Sequence, residues 1–359
     1  MKNKIMIAAG GTGGHVYPAI AVAKKLKESG ACVEWIGSAK SIESRVVQQE
    51  GLIFHHIPVW GLRGAKHWRL CLAPFMLIFS IVVSIRILAR VRPSVILGMG
   101  GYVSGPVGLA AFLLRVNLII HEQNSVPGLT NNILSNFATT VLEGFPNSFE
   151  KKRGALFVGN PVRTEIENLP PPSERYSNIS KGLKIFIFGG SRGASILNLL
   201  VPEVIAKSGI PFIKIIHQSG EQLFDKTIEA YEKVGLTDRV QVMSFIDDIA
   251  KVYGESHLVI CRAGASSIAE ISSFGIASIL IPYKHAVDNH QMKNANFLTH
   301  NGGAIKINED ENIKINLQEN LISICNEIKN FELMATLARQ SRKENAVSSI
   351  VECCLGNTK

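Results

Sequence analysis

Two distant stretches of the chain share one design: "KIMIAAGGTGGHVYPAI" (4–20) and "KIFIFGGSRGASILNLL" (184–200). Each is an apolar run, two glycines, a hydroxyl residue, another glycine and then a helix-forming segment. A strand that turns through glycines into a helix is the opening unit of a doubly wound α/β sheet, where glycine permits the tight reversal and lets backbone N–H groups approach an anion. Its repetition predicts two similar domains. Between them would lie a cleft lined by the carboxyl ends of both sheets, a favoured place for a substrate.

Strand and helix signals alternate along the rest of the chain, as in parallel sheets covered by helices. Strands are predicted near 4–9, 32–36, 94–98, 117–121 and 139–142, and again near 183–188, 212–217, 240–243, 257–261 and 277–281. Between the two sets, "TEIENLPPPSERYSNISKG" (164–182) is polar, contains three prolines and has no periodicity, so it reads as a linker. The expected fold class is α/β, with two doubly wound, Rossmann-like domains facing a cleft. Residues 1–163 form the first and 164–339 the second. At 359 residues each domain can bury its own core.

The formal charge of +9 is unevenly placed: residues 1–160 carry 17 Lys and Arg against 7 Glu and no Asp, the remainder 21 against 22. Apart from compositional drift, a basic half implies an anionic surface, either nucleic acid or the cytoplasmic leaflet of a membrane. No nucleic-acid motif accompanies the charge, which favours the membrane and no nucleic acid. "FMLIFSIVVSI" (75–85) is uncharged and apolar, preceded by Pro74 and followed by Arg86, Arg90 and Arg92. It is too short to span a bilayer, which takes about 20 residues. It is either a buried helix or one lying in an anionic interface through Ile78, Phe79 and Val82, with Trp60 and Trp68 of "WGLRGAKHWRL" beside it. The six cysteines lack metal-ligand spacing and no signal-peptide pattern precedes the first strand, so a reducing cytoplasm is the expected compartment.

Four strand–glycine–helix junctions stand out: 10–14, 98–105 ("GMGGYVSG"), 189–193 and 264–268 ("GASSI"). Tight turns need glycine for steric reasons too, but four such turns favour an anionic ligand. The nucleotide loop GxxxxGK[ST] is absent, and G-x-G-x-x-G starting at Gly11 fails at Val16. Glu34 is expected to end a second strand where a ribose-binding acid would sit, which keeps a nicotinamide enzyme as a distant alternative. Asp247 and Asp248 are adjacent rather than spaced as D-x-D, so no metal site is expected. His15, at the loop-to-helix junction, is the candidate general base, since imidazole titrates near neutrality. Glu122 of "HEQN" would orient that base, contact an acceptor, or simply cap its loop.

"GGTGGHVYPA", "LGMGGYVSGP", "HEQNSVPGLTN", "VGNPVR", "GGSRGA", "FIDDI", "CRAGASSIAE" and "DNHQMKNA" follow one another in an order that resembles the bacterial peptidoglycan N-acetylglucosaminyltransferases, over essentially the whole chain. The resemblance implies the two-domain GT-B glycosyltransferase fold, with a C-terminal helix at about 340–359 packing back on the first domain. It implies inverting transfer of GlcNAc from UDP-GlcNAc to lipid I, the undecaprenyl-pyrophosphoryl-MurNAc-pentapeptide, giving lipid II. It also implies a peripheral place on the anionic cytoplasmic face of the inner membrane, with no cofactor and no metal. By the same resemblance, Thr12, Gly13 and Gly14 contact the donor, with Asn124 near the sugar and Arg163 at the domain junction. Ser191 and the loop Ala265, Ser266, Ser267, Ile268 and Ala269 receive UDP. Ile246 reads uracil through its backbone, Glu270 accepts from the ribose, and Gln291 bonds the GlcNAc hydroxyls. Arg192, Ala263, Ser267 and His290 depart from common family residues, which affects donor contacts more than the reaction. A related transferase acting on another lipid, such as diacylglycerol, is the alternative; a nucleotide-sugar-binding scaffold without activity is the non-enzymatic one.

Overall fold

In a computed structural model of the chain, the structure describes residues 3–39, 41–59, 67–177, 182–190, 193–211 and 213–356, without the side chains of residues 42, 67–71, 152 and 328. Two compact units are present. The first runs to Val162 and resumes at Lys343; the second is Arg163–Arg342.

The first unit is a parallel sheet of seven strands: β1 (Lys4–Ala8), β2 (Cys32–Ser38), β3 (Ile53–Ile57), β4 (Val95–Gly98), β5 (Asn117–Glu122), β6 (Thr140–Glu143) and β7 (Leu156–Phe157). Its order is β3-β2-β1-β4-β5-β6-β7. The helices between them are α1 (Gly13–Glu28), α2 (Ile42–Gln49), α3 (His67–Val91), α4 (Ser104–Leu113) and α5 (Leu129–Leu134).

The second unit repeats that order as β10-β9-β8-β11-β12-β13. Its strands are β8 (Leu183–Phe188), β9 (Ile213–Gln218), β10 (Val240–Met243), β11 (Leu258–Cys261), β12 (Ala277–Leu280) and β13 (Ile305–Lys306). Its helices are α6 (Thr164–Glu167), α7 (Pro172–Tyr176), α8 (Ser195–Ser208), α9 (Phe224–Lys233), α10 (Ile249–Glu255), α11 (Ala265–Phe274), α12 (His290–Thr299), α13 (Ile313–Asn326) and α14 (Ile328–Gln340). The last helix, α15 (Ala346–Leu355), belongs to the first unit, where Ile350, Val351, Cys353 and Cys354 join the core around α1.

Both sheets reverse direction of winding between their first and fourth strands, β1/β4 and β8/β11. The four glycine turns occupy those two crevices, since each follows one of these strands. The strands carry continuous apolar runs because helices cover both faces; Ile5, Met6, Ile7 and Ile185, Phe186, Ile187 are buried.

Three expectations need correction. The described residues 164–177 are more than a linker: α6 and α7 lie within them, and Ile166 and Tyr176 are buried in the second unit. The Tyr176 hydroxyl accepts from Ala277 N and donates to the His257 carbonyl, which fastens this segment to the sheet. Strands β3, β7 and β13 were not expected at all. The apolar segment 75–85 extends into a helix of 25 residues whose stretch Leu72–Val91 is long and apolar enough to cross a membrane by length and composition alone.

Candidate active site

In the first unit, Thr12 is the N-cap of α1, and its carbonyl accepts from His15 N and Val16 N. Its side chain makes no capping bond, and the first turn, Gly13, Gly14 and His15, contains no acid. His15 therefore stands in the first turn of a helix that begins at the β1/β4 crevice. Its Nδ1 lies 2.7 Å from Gln123 Oε1.

The glycines of the second turn make room for this arrangement. A Cβ on Gly100 would meet the His15 ring, and one on Gly101 would collide with the Gly10 carbonyl; both residues have positive φ. The "GMGG" turn is accordingly accounted for by close packing.

The turn after β1 rests on Glu43, fully buried at the start of α2. One of its oxygens accepts from Ser38 Oγ at 2.6 Å and the other from Gly11 N at 3.4 Å. Tyr102 OH closes the group, 3.1 Å from Ser38 Oγ. A protein carboxylate thus occupies the loop amide that a bound phosphate would use, a contact the sequence pattern alone did not disclose.

Glu122 does not orient His15. Its Oε1 accepts from the backbone and side-chain amides of Asn124, and its Oε2 from Gly128 N and Asn131 Nδ2. It is buried and organises the loop after β5, which also fixes Asn124. The residue that reaches His15 is its neighbour Gln123.

Glu34 is likewise reassigned. Strand β2 continues to Ser38, so Glu34 lies mid-strand rather than at its carboxyl end. It bonds His55 Nε2 at 2.6 Å and lies 3.6 Å from Lys4 Nζ. The ribose-binding acid of a dinucleotide enzyme is therefore not supplied by Glu34.

In the second unit, α11 begins beside β11 with Gly264 as N-cap; Ala265, Ser266 and Ser267 form its first turn, without an acid or a side-chain cap. Gly264 has ordinary φ and no crowding around a built Cβ. Ser266 Oγ is buried with no hydrogen-bond partner, an unmet polar atom at a positively polarised helix start. Ile268 and Ala269 are buried behind it.

Glu270 follows on the same helix. Its Oε2 accepts from Tyr253 OH at 3.1 Å, and its Oε1 lies 3.4 Å from an Arg163 nitrogen. Burial raises the Glu270 pKa, against the opposing effects of Arg163 and the Tyr253 bond. Arg163 thus meets an anionic oxygen belonging to the protein itself.

The turn after β8 is tied by Gln218 at the end of β9: its Nε2 donates to Gly190 O at 3.3 Å and its Oε1 accepts from Ile246 N at 3.0 Å. The Ile246 amide is therefore engaged, and its carbonyl is the remaining backbone group for reading a base. Ser191 and Arg192 lie outside the described residues. Gln291 Oε1 accepts from Tyr283 N at 2.9 Å, which points its amide nitrogen away from that bond. The loop before it holds Asp288 and Asn289 in the left-handed region, a conformation that costs a non-glycine residue about 1 kcal/mol or more. His290 Nδ1 contacts Val287 O. Arg262 joins Glu309 at 2.6 Å, and Glu309 also accepts from Lys284 N, bracing this connection. The Ala263 carbonyl accepts from Asn294 Nδ2, so Ala263 is a buried, backbone-bonded position.

On α3 a row of apolar residues faces outward, while Ser80 and Ser84, with Leu88, face inward. Ser80 and Ser84 are buried, Ser80 Oγ bonding the carbonyls of Pro58 and Met76 and Ser84 Oγ that of Ser80. Ile78 is 60 % exposed, Phe79 52 % and Val82 39 %. The helix is thus not a buried core helix. Trp60 lies outside the described residues, as does the side chain of Trp68.

Residues 5–143 match the glycosyltransferase family 28 N-terminal domain and 184–351 its C-terminal domain. A protein of Coxiella burnetii named UDP-N-acetylglucosamine--N-acetylmuramyl-(pentapeptide) pyrophosphoryl-undecaprenol N-acetylglucosamine transferase is 41% identical over 98% of each chain. One of the same name from Nitrosospira multiformis is 40% identical over 99% of each. The crystal structure of Acinetobacter baumannii MurG is 33% identical and superposes with a TM-score of 0.81 over 99% of both chains.

Proposed function

The chain belongs to glycosyltransferase family 28, and from that membership we infer that it transfers N-acetylglucosamine from UDP-GlcNAc to lipid I, forming lipid II for peptidoglycan synthesis. The observation that carries this is the match to both halves of the family together with full-length relatives named for this one transfer. The fold is the two-domain GT-B architecture.

The roles of individual residues are our reading of the geometry. The second unit holds UDP-GlcNAc. The uncapped start of α11, with the unpartnered Ser266 hydroxyl, receives the diphosphate, and the ribose hydroxyls donate to Glu270. Ser191, Ile246 and Gln291 complete the donor contacts of this unit. Helix-terminal amides stabilise the charge that develops on departing UDP. His15 takes the proton of the acceptor's 4-hydroxyl as that oxygen attacks the anomeric carbon. The bond from that carbon to UDP breaks, UDP leaves with the electron pair, and configuration inverts.

The first unit meets the anionic inner face of the cytoplasmic membrane through α3. A water-facing helix ordinarily turns its polar side outward; here serines face the protein and Ile78, Phe79 and Val82 face away from it. Arg86, Arg90, Arg92 and Arg115 are all exposed in the same unit. Arg92 and Arg115 follow α3 and α4 in left-handed conformations where glycine is usual, so cationic side chains are kept there at a conformational cost.

Incubating purified protein with UDP-GlcNAc and a short-chain lipid I analogue tests the activity. Formation of the disaccharide-linked lipid is expected, with diacylglycerol as the control acceptor. Transfer to diacylglycerol but not to the lipid I analogue would replace this acceptor with the other.

A further inference from the structure

His15 does not stand alone: a chain of three hydrogen bonds leads from it into the interior. Its Nδ1 is 2.7 Å from Gln123 Oε1. Gln123 Nε2 is 3.0 Å from His121 Nδ1, and His121 Nε2 is 2.9 Å from the Gly159 carbonyl. His121 is fully buried and Gln123 nearly so. Asn160 Nδ2 donates to the Gln123 carbonyl at 2.9 Å, holding the backbone from which the amide projects.

Donor and acceptor chemistry gives this chain one direction. A peptide carbonyl only accepts, so the nitrogen facing Gly159 O must carry hydrogen. Burial depresses the His121 pKa to about 4, outweighing the opposing influences of the Gly159 bond and the Glu122 carboxylate; the His15 charge adds to the depression. His121 is therefore neutral near pH 7 with a bare Nδ1. That nitrogen requires a donor, which turns the Gln123 NH2 toward it and the Gln123 oxygen toward His15. The oxygen in turn requires a hydrogen on His15 Nδ1. The lone pair of neutral His15 is left on Nε2.

We propose that His121 and Gln123 are positioning residues that fix His15 in the tautomer with hydrogen on Nδ1, so that Nε2 is always the atom presented to the acceptor hydroxyl. The proposal rests on His15 as the base. A free imidazole exchanges its proton between both nitrogens; a base needed at one atom gains from having the other permanently engaged. Gly100 fits the same purpose, because a side chain there would displace the ring.

The first measurement uses the unmodified protein with 15N-labelled histidine. His15, assigned by its loss in His15→Asn, should show hydrogen on Nδ1 and a bare Nε2 when neutral. Hydrogen on Nε2, or an even mixture, would overturn the proposal whether or not His15 is the base. The second measurement compares variants. His121→Leu should lower kcat about tenfold or more with little change in KM for UDP-GlcNAc, and should return His15 to a tautomeric mixture. His121→Asn, whose side-chain oxygen takes the place of Nδ1 as acceptor, should restore both kcat and tautomer. Equal loss in both variants with the His15 tautomer unchanged would reduce His121 to a packing role and overturn the proposal. Full activity in His15→Asn would instead remove the base reading while leaving the tautomer result intact.

Discussion

The turn after β1 sits on a buried carboxylate, Glu43, while the turn after β8, at the same place in the same topology, sits on the neutral amide of Gln218. The starts of the fourth strands' helices differ as well. In the first unit the glycines after β4 are filled by the His15 ring and the Gly10 carbonyl; in the second the start of α11 keeps an unpartnered serine hydroxyl. A glycine turn in a crevice is thus a steric provision, and what lies beneath it decides its chemistry. An anion bound to Gly11 N–H would lie close to the charge of Glu43. Two unit charges roughly 5 Å apart repel by about 3 kcal/mol at an effective dielectric constant near 20. On the proposed reading, the duplicated scaffold serves a proton in its first copy and a phosphate in its second.

The sharpest way to break this division is to remove the base. His15→Ala should lower turnover by about a hundredfold or more, with UDP affinity nearly kept, as measured by steady-state kinetics and calorimetry on the same preparation. A parallel fall in UDP affinity would mean that His15 itself holds the nucleotide, and unchanged turnover would remove His15 from the chemistry.

Acid tests the two units on a common footing, since each buries a neutral histidine. Burial lowers the pKa of His121 to about 4 and that of His217 to about 3, from 6.5 for the free side chain. Between pH 6.5 and 4 the unfolded chain binds protons that the folded units refuse. Stability is therefore intact above pH 6.5 and is lost as pH falls, by on the order of 3 kcal/mol for each histidine. Glu270, whose pKa is raised, works the other way in the second unit and offsets part of its loss. Urea unfolding at pH 7 and 4.5, followed by hydrogen exchange in each unit, should show both weakening; a flat profile would contradict the burial of neutral imidazoles.

Replacing Glu270 by Ala probes the donor side. Loss of a charge-assisted bond to ribose should weaken UDP-GlcNAc by about 1–3 kcal/mol, read by calorimetry. The same change removes the carboxylate beside Arg163, so Glu270→Gln, which keeps the packing and an acceptor oxygen, should lose less. Equal UDP affinity in Glu270→Ala and the parent would take the ribose away from this residue.

The interior of both sheets was legible because buried parallel strands are uniform apolar runs ending in glycine. Strands β1, β2, β4, β5 and β6, with β8 to β12, stand where those runs occur. The three that escaped notice, β3, β7 and β13, are all sheet edges. "IFHHI" is interrupted by two histidines, and the other two contain two residues each, so none gives a periodic signal. In the site, His15 was visible because a glycine turn and helix start flank it. Gln123 carries no charge to mark it, and its value arises only when β5 places it against α1. Glu43 acts on a glycine 32 residues away, a contact visible only after the sheet has formed. Glu34 misled because the end of β2 could not be set without β3 beside it.

The smallest expected effects concern the outer surfaces, where the units differ most. The first exposes a continuous apolar face on α3 bordered by arginines; the exposed apolar residues of the second, such as Leu199, Ile315 and Leu333, lie on separate helices. If α3 rests in an anionic interface, each of Arg86 and Arg90 contributes about 1 kcal/mol to vesicle binding at low salt, an attraction screened over a Debye length of about 8 Å at physiological ionic strength. Arg86→Gln and Arg90→Gln should each weaken binding to phosphatidylglycerol vesicles by a few-fold and lessen its salt dependence. Replacing Ile78, Phe79 and Val82 together by Ser should weaken it further without flattening the salt curve, because that term is apolar. In all of these variants turnover of a soluble, short-chain acceptor should be unchanged, since none touches His15 or α11. Ser80→Ala is the control: it alters the same helix on its protein side, so it should lower stability and leave vesicle affinity alone. Normal vesicle binding by the folded triple-Ser variant would remove α3 as the contact, and the asymmetry of the two units would then end at their crevices.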